Sequence, residues 1–248
     1  MSSYVSLAKY YDNLTTDVPY GTFADFYGKI FDKFNIKPVT ILDMACGTGT
    51  LTRILCERGY DMIASDGSPE MLTSAMDKLS DLEKMPLLLC QNMDELDLYG
   101  TVDSIICSLD GINYVQKDVL PEVLKRVMLF LEPGGIFIFD INTPEKLLGL
   151  DGEMFIDETD DVFCVWRAEY DEELDACVYG MDIFEKNGRH WLRTKEEHFE
   201  YIYRLDEMHK MLDNAGFEDI NIFAELKLEA PAEGEQRVFF TARKPKLK

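Results

Sequence analysis

Paired cysteines are missing from this 248-residue sequence. Its cysteines are scattered, form no C-x-x-C pair and mostly have apolar neighbours, which supports neither a disulfide framework nor a zinc cluster. Histidines are sparse too, and none has the helical spacing or the cysteine companions of a metal site. We therefore expect reduced thiols and no metal; the residues concerned are Cys46, Cys56, Cys90, Cys107, Cys164, Cys177, His190, His198 and His209.

Long apolar runs are also missing. No stretch approaches the roughly 18 apolar residues that a membrane-spanning helix needs. The first ten residues lack the basic region and the apolar stretch that together mark a secretion signal. These two absences predict a cytoplasmic protein without a membrane partner.

Basic side chains are scarce, since 25 lysines and arginines stand against 47 aspartates and glutamates. The resulting formal charge of -22 repels phosphate backbones and anionic lipid headgroups. We therefore do not expect nucleic acid as a partner, because its phosphates would be repelled. A small molecule or a protein is the expected substrate. Both a monomer and a homodimer are compatible with the sequence.

The first part of the chain alternates short apolar runs with helical periods. This alternation indicates an α/β fold with a parallel sheet and helices on both of its faces. The predicted strands are residues 39–43, 62–65, 87–90, 104–107 and 136–141, followed near the end by 219–225 and 237–242. The predicted helices are residues 6–14, 20–34, 120–131 and 206–215, with others that begin at Thr50 and Pro69.

The pattern changes at about residue 151, where acidic residues predict a loop at 151–161. Alternating, aromatic segments follow and indicate an antiparallel insertion, in which Asn187-Gly188 predicts a tight hairpin turn. The expected segments are residues 162–170, 176–185 and 190–203. The predicted organisation is a helical cap (1–34), a core (35–150 and 205–248) and the antiparallel β insertion (151–204).

A glycine-containing loop follows the first predicted strand and opens a helix, with the sequence Asp43-Met44-Ala45-Cys46-Gly47-Thr48-Gly49-Thr50. This order places backbone N–H groups and a positive helix end at the carboxyl edge of the sheet, where α/β sheets bind ligands. A dinucleotide-binding loop has the spacing G-x-G-x-x-G, but Thr52 occupies the third glycine position. A nicotinamide-dependent oxidoreductase is therefore only an alternative.

The loop resembles motif I of the class I S-adenosylmethionine-dependent methyltransferases. The resemblance covers residues 35–145 and the last two strands, and the opening tyrosines with the β insertion look like a bacterial branch of small-molecule type. It implies a Rossmann-like, seven-stranded, mostly parallel sheet, S-adenosylmethionine as cofactor and S-adenosylhomocysteine as product. The further strand-end matches are Asp66, Gln91-Asn92-Met93, Cys107-Ser108-Leu109-Asp110 and Leu131-Glu132-Pro133-Gly134-Gly135.

The resemblance also implies cofactor contacts at these strand ends. Gly47 and Gly49 would bring the backbone against the methionine part of the cofactor, where a Cβ would intrude. Asp66 would accept hydrogen bonds from both ribose hydroxyls, although an acidic residue at a strand end also serves as a helix cap. Asn92 would recognise the adenine. The other implied contacts are Met71 and Met93 at the adenine, backbone carbonyls near Ser108 and Leu109 at the cofactor's ammonium, and Asp43 at the same ammonium.

Aromatic residues are expected around the cofactor and the substrate. Tyr11 and Tyr20 of the helical cap would either close over the cofactor's sulfonium or pack the cap onto the sheet. The aromatic residues of the insertion would either form a roof over the substrate or fill the insertion's own core. They are Trp166, Tyr170, Tyr179, Phe184, Trp191, Phe199 and Tyr201.

Few catalytic side chains are expected, because methyl transfer from a sulfonium is an in-line displacement that requires alignment and the exclusion of water. A nucleophile that carries a proton also needs a general base, for which Asp110, Asn113 and Tyr114 are candidates. This run lacks the N-P-P-Y signature of methyltransferases that act on planar nitrogens. The acceptor is not identified, and a protein that binds S-adenosylmethionine without turnover is a second alternative.

Overall fold

Two sheets organise the computed structural model, which describes residues 11–12 and 17–247. Within these residues the strands are β1 (Thr40–Met44), β2 (Asp61–Asp66), β3 (Leu87–Cys90), β4 (Val102–Cys107), β5 (Leu131–Asn142), β6 (Met154–Glu158), β7 (Val162–Asp171), β8 (Ala176–Asn187), β9 (His190–Tyr201), β10 (Glu218–Ala224) and β11 (Arg237–Arg243). The α-helices are α1 (Tyr20–Lys33), α2 (Thr50–Glu57), α3 (Pro69–Leu79), α4 (Leu120–Phe130), α5 (Pro144–Gly149) and α6 (Leu205–Asn214), and short 3-10 helices cover Met93–Glu95 and Gly111–Tyr114. None of these helices is long and apolar enough to cross a membrane.

The larger sheet has the strand order β10-β11-β5-β4-β1-β2-β3. Strands β1 to β5 pair in parallel, whereas β11 pairs antiparallel with both β5 and β10. Because the strand order reverses between β1 and β4, the carboxyl ends of these two strands border a crevice of the kind in which α/β sheets bind ligands. The prediction of a seven-stranded, mostly parallel sheet is confirmed.

Both faces of this sheet are covered, because its central strands are apolar on both sides. Ile41 and Leu42 of β1 are fully buried in two different core clusters, since successive side chains of a strand point to opposite faces. One cluster contains residues of α4 and α6, and the other contains residues of α1 such as Phe26. The predicted first helix, residues 6–14, lies outside the described residues except for Tyr11 and Asp12.

The smaller sheet is the antiparallel insertion, in which β6, β7, β8 and β9 pair in sequence order. Its tight turn lies one residue later than predicted, because Asn187 pairs with His190 and the turn is Gly188 and Arg189. Gly188 has a φ of 63°, which the first position of a two-residue hairpin turn requires. The turn sets the register of β8 against β9 and thereby decides which side chains share a face.

Strand β6 corrects the prediction of a loop at residues 151–161. Met154–Glu158 pairs antiparallel with β7 at the edge of the smaller sheet. Its apolar residues Met154, Phe155 and Ile156 are 43 to 58% exposed, so the segment lacks the alternation of buried and exposed positions that indicates a strand. Backbone pairing with β7, rather than burial, makes this segment a strand.

Strand β5 is twice as long as predicted. Helix α4 ends at Phe130, and β5 runs without a break through Pro133-Gly134-Gly135, for which the sequence predicts a turn. The Gly134 N–H donates to the Lys244 carbonyl oxygen at 2.9 Å, and the register with β4 shifts nearby. The glycines therefore form an irregularity inside the strand and not the end of a connection.

Candidate active site

A cavity of about 960 Å³ lies where the carboxyl ends of the parallel strands meet the smaller sheet. Its wall combines residues at the ends of β1 to β4 with residues of β7, β8 and β9. This is the crevice that the strand order predicts. Gly49 and Asn113 do not line it, whereas the other predicted site residues do: Tyr11, Tyr20, Asp43, Gly47, Asp66, Met71, Asn92, Met93, Ser108, Leu109, Asp110 and Tyr114.

The loop between β1 and α2 is held by backbone hydrogen bonds. The Cys46 N–H donates to the Ser65 carbonyl oxygen of the neighbouring strand at 3.0 Å, and the Gly49 N–H donates to the Cys46 carbonyl oxygen at 3.0 Å. Ala45, Gly47 and Gly49 have φ values of 61, 53 and 76°. Since side chains disfavour these values, the loop depends on its glycines, and Gly47 lies on the cavity wall.

Gly49 lies close to helix α3. A Cβ on Gly49 would lie 3.1 Å from both Ala75 Cβ and Leu79 Cδ1 of α3. The residue therefore allows α2 to begin in close contact with α3, and the protein surroundings alone account for a glycine at this position. A Cβ on Gly47 would meet no protein atom within 4 Å. Of the two loop glycines, Gly47 is therefore the one with the open surroundings that close approach of a ligand requires.

Asp66 ends β2 and holds two backbone segments together. Its Oδ2 accepts a hydrogen bond from the Gly47 N–H at 2.9 Å, and its Oδ1 accepts one from the Ser68 N–H at 2.8 Å. Burial raises the pKa of Asp66, and these two donors oppose the rise. Helix α3 is capped by Ser68, whose Oγ accepts from the Met71 N–H at 3.2 Å. Asp66 is therefore not the helix cap, and its carboxylate, with about four acceptor positions, retains capacity for a ligand.

Asp43 is the second-last residue of β1 and is buried. Its Oδ2 accepts a hydrogen bond from the Thr52 hydroxyl at 2.6 Å. Thr52, which occupies the position of the third glycine of a dinucleotide-binding loop, therefore donates its hydroxyl hydrogen bond to the Asp43 carboxyl group. Burial raises the pKa of Asp43 to about 7, and the nearby Asp66 adds to the rise. A cation in the cavity would favour the ionised form of Asp43.

The predicted adenine contacts surround the end of β3. Asn92 is exposed, and its Nδ2 donates to Glu95 Oε2 at 3.2 Å. A Cβ on Gly67 would lie only 2.7 Å from Asn92 Oδ1, so the glycine permits this close approach. Met71 is buried on α3, and Met93 packs against the main core. Polar and apolar side chains therefore meet at this end of the cavity.

The residues after β4 form a strained turn that a buried carboxylate holds in place. Leu109 and Asp110 have φ values of 56 and 55°, and their N–H groups donate to Asp140 at 2.8 and 2.9 Å. The Tyr27 hydroxyl lies 2.6 Å from the Ser108 hydroxyl. Arg237 pairs with Asp110 at 2.6 Å and with Asp140. This ion cluster fixes the backbone at the centre of the cavity wall.

The catalytic candidates of this turn do not all reach the cavity. Asn113 is fully buried, donates to the carbonyl oxygens of Asn142 (3.2 Å) and Tyr201 (3.0 Å), and accepts from the Asn142 N–H (3.0 Å). It joins β5 to β9 and does not line the cavity. Asp110 is committed to its ion pair with Arg237. Tyr114 lines the cavity.

The two tyrosines of the helical cap contribute to both packing and the cavity. Tyr11 packs against a small cluster of the insertion sheet that includes Val162 and Met181, and Tyr20 packs beside the core under α1. Both also line the cavity. The two interpretations of these residues are therefore compatible.

Glu200 is a candidate functional residue that sequence reasoning missed. It is 5% exposed and lines the cavity, and its Oε2 accepts from Asn142 Nδ2 at 2.7 Å. The Asn142 side-chain oxygen in turn accepts from Lys146 Nζ at 2.9 Å. Polar and aromatic residues alternate at the end of β9, from His198 to Tyr201, and this alternation is the signal that could have indicated a polar face toward the cavity.

The pKa of Glu200 is raised to about 8, first of all by burial. The negative charge of Asp110 adds to the rise. The hydrogen bond from Asn142 and the positive charges of Lys146 and Arg237 oppose it. The carboxyl group therefore retains its proton through most of the neutral range when the cavity holds no cation.

This proton makes the stability of the protein depend on pH. An unfolded glutamate has a pKa of about 4.3, so between that value and the folded value the native state binds more protons. The stabilisation is fully present below the unfolded pKa and is lost as the pH rises through about 8. From about pH 5 to about pH 9, we expect the wild type to lose on the order of 4 kcal/mol more stability than Glu200→Gln. Urea unfolding of both proteins measures this, and equal losses would contradict it.

Known proteins resemble the whole chain. A family model described as a methyltransferase domain matches residues 41–135. The Bacillus subtilis protein named "Putative methyltransferase YqeM" is 30% identical over 98% of this chain and 98% of its own length. The crystal structure of an S-adenosylmethionine-dependent methyltransferase from Clostridium acetobutylicum has a TM-score of 0.87 and 31% identity, covering 98% of this chain and 99% of that one. A glycine/sarcosine N-methyltransferase from Parasynechococcus marenigrum is 26% identical over 81% of this chain and 70% of its own length.

The family match spans the loop after β1, and the TM-score of the Clostridium acetobutylicum structure shows the same fold over nearly the whole chain. The prediction of S-adenosylmethionine as the methyl donor is confirmed, and the nicotinamide alternative is set aside. The chain belongs to the class I S-adenosylmethionine-dependent methyltransferases and uses S-adenosylmethionine as its cofactor.

Proposed function

We propose that the protein methylates a small molecule that enters the cavity between the cofactor and the antiparallel insertion. The observation that carries this proposal is the division of one cavity between two walls. The ends of β1 to β4 supply one wall and have the features of the cofactor half. The side chains of β7, β8 and β9 supply the other wall, which acts as the substrate roof.

The residues of the first wall fit S-adenosylmethionine. Asp66 keeps acceptor positions free for the ribose hydroxyls, and the open space at Gly47 admits the methionine part. Asp43, whose pKa is raised to about 7, becomes ionised beside the cofactor's ammonium. The backbone at Ser108 and Leu109 faces the same group. Asn92 binds the adenine edge, with Met71 and Met93 beside the ring and Tyr11 and Tyr20 closing the site.

The acceptor is proposed to be small because of the size and the charge of the site. The volume of about 960 Å³ is shared between the two ligands, which leaves room for a metabolite. The formal charge of -22 disfavours nucleic acid. The relative named as a glycine/sarcosine N-methyltransferase adds support, since its name gives small amino acids as acceptors.

The protein's task in this reaction is alignment. Bound S-adenosylmethionine supplies an electrophilic methyl group. The fixed turn at Leu109 and Asp110 and the roof of the insertion hold the acceptor opposite that group and exclude water. No residue of the cofactor half is required to exchange a proton.

Calorimetric titration with S-adenosylmethionine, S-adenosylhomocysteine and NAD tests the cofactor half. We expect the first two to bind and NAD not to bind, because the loop lacks the third glycine. Methyl-labelled S-adenosylmethionine, incubated with the protein and a cell extract, then tests the acceptor half. Label should appear in the fraction that is free of protein and nucleic acid. Binding without any labelled product would support the alternative without turnover, and label in protein or nucleic acid would contradict a small acceptor.

A further inference from the structure

The roof of the cavity presents a set of side chains that the cofactor does not use. The register of the smaller sheet pairs Tyr179 with His198 and Cys177 with Glu200. Because strand residues two apart share a face, Tyr179, His198 and Glu200 lie on the same side of the sheet. The pairing of β7 with β8 places Trp166 on that side as well. All of these except Cys177 line the cavity.

Glu200 lacks a counter-charge of its own. Among the described residues, no basic side chain forms a salt bridge with it, and only one of its two oxygens accepts a hydrogen bond. Arg237 is committed to Asp110 and Asp140, and Lys146 donates to the Asn142 amide oxygen. A buried carboxylate without a cationic partner is costly, so this position favours a ligand that carries positive charge.

The aromatic surroundings of Glu200 favour the same kind of ligand. Trp166, Tyr179 and Tyr114 border the cavity, and the ring of Tyr114 lies 6.5 Å from the ring of His198 at an angle of 79°. Aromatic faces attract ammonium groups, and a carboxylate adds the opposite charge. Within the described part of the chain, an anionic acceptor would find no free cationic partner at Glu200, and a hydroxyl acceptor would supply no positive charge to stabilise the ionised carboxylate.

We propose that this face binds the acceptor through a primary or secondary amine and that Glu200 takes the proton from its nitrogen. The inference rests on the proposed methyl transfer to a small molecule. The amine and the Glu200 carboxyl group share one exchangeable proton. Methyl transfer occurs when this proton is on Glu200, because the amine nitrogen is then neutral and has a free lone pair. The nitrogen lone pair then forms the bond to the methyl carbon as the carbon–sulfur bond breaks and its electron pair leaves with sulfur. The product is an N-methylammonium and a thioether, and Glu200 returns its proton to water.

The raised pKa of Glu200, about 8, supports this role. It brings the carboxyl closer to the pKa of an alkylammonium, which is about 10 as in lysine, so proton transfer between them costs less than transfer to an ordinary glutamate. Asn142 holds the side chain in place through Oε2, which leaves Oε1 for the amine.

The test uses full-length protein, methyl-labelled S-adenosylmethionine and the small-molecule fraction of a cell extract. One half of the fraction is acetylated and then treated with hydroxylamine, which leaves only the amines blocked. We expect the untreated half to become labelled and the acetylated half to stay unlabelled. Glu200→Gln should lower labelling by about 100-fold or more, because general base catalysis is lost. Its affinity for S-adenosylhomocysteine should match that of the wild type.

Glu169→Gln is the matched control, since Glu169 is exposed on β7 and the substitution makes the same chemical change. It should label the extract as the wild type does. Label that persists after acetylation would overturn the amine, and full labelling by Glu200→Gln would overturn the role of Glu200. If S-adenosylhomocysteine binds but neither half is labelled, the proposed methyl transfer itself fails.

Discussion

Replacement of Arg237 by alanine is expected to lower the free energy of unfolding by about 3–5 kcal/mol, because it leaves buried carboxylates without their partner. Arg237 lies between Asp110 and Asp140, and Asp140 is fully buried. Asp140 also accepts the N–H groups of Leu109 and Asp110, so it cannot move away from the turn. The variant therefore exposes the turn at the cavity wall to the repulsion of two like charges.

Urea unfolding of Arg237→Ala and Arg58→Ala measures this effect against a matched control. Arg58 pairs with a single aspartate, Asp25 at 2.6 Å, and the two side chains are 34% and 63% exposed, which makes this a partly solvated surface pair. The control should therefore lose less than about 1 kcal/mol. Similar losses in the two variants would show that the buried cluster contributes no more than a surface ion pair.

A second substitution identifies the cause. Adding Asp140→Asn to Arg237→Ala removes the more deeply buried of the two unpaired charges and keeps an amide oxygen as acceptor for one of the two N–H groups. We expect part of the lost stability to return. Burial raises the pKa of Asp140, so the single variant should also be less destabilised in mild acid, where the carboxyl becomes neutral. Loss of stability that neither change restores would point to lost packing of the arginine.

The parallel core could be predicted because its strands are apolar on both faces and alternate with helical periods. The structure confirms the seven-stranded sheet. Edge strand β6 could not be predicted in the same way, since Phe155 and its neighbours are held by pairing with β7 and not by burial. The length of β5 was missed because Pro133-Gly134-Gly135 has the composition of a turn and is accommodated as an irregularity.

The two walls of the cavity differ in what sequence reasoning could find. Asp43, Gly47 and Asp66 lie within one short stretch, and the resemblance of this stretch to the family motif is sufficient to predict that they share one site, as their common place on the cavity wall shows. Asn113 and Glu200 depend on contacts between distant segments. Asn142 and Glu200 are separated by 58 positions, and only the register of β9 brings them within hydrogen-bond distance. The residues of the cofactor half can therefore be predicted from one short stretch of sequence. The residues of the substrate roof can be identified only from the tertiary structure.

Replacement of Asp66 by alanine should weaken the binding of S-adenosylhomocysteine by about 2 kcal/mol, or close to 30-fold, because a charged acceptor of the ribose hydroxyls is lost. Asp77→Ala is the control, since Asp77 is exposed on α3 and has the same side chain. Calorimetric titration of the two variants measures both affinities. Unchanged affinity in Asp66→Ala would contradict the ribose contact.

Asp66 also holds the loop through the Gly47 N–H, so weaker binding alone does not distinguish the contact from the shape of the loop. The 3′-deoxy analogue of S-adenosylhomocysteine separates the two causes. The wild type should bind this analogue more weakly than the parent, whereas Asp66→Ala should bind the two about equally. If both proteins discriminate to the same extent, the energies of the hydroxyl and the carboxylate are additive, which means that Asp66 acts only through the loop.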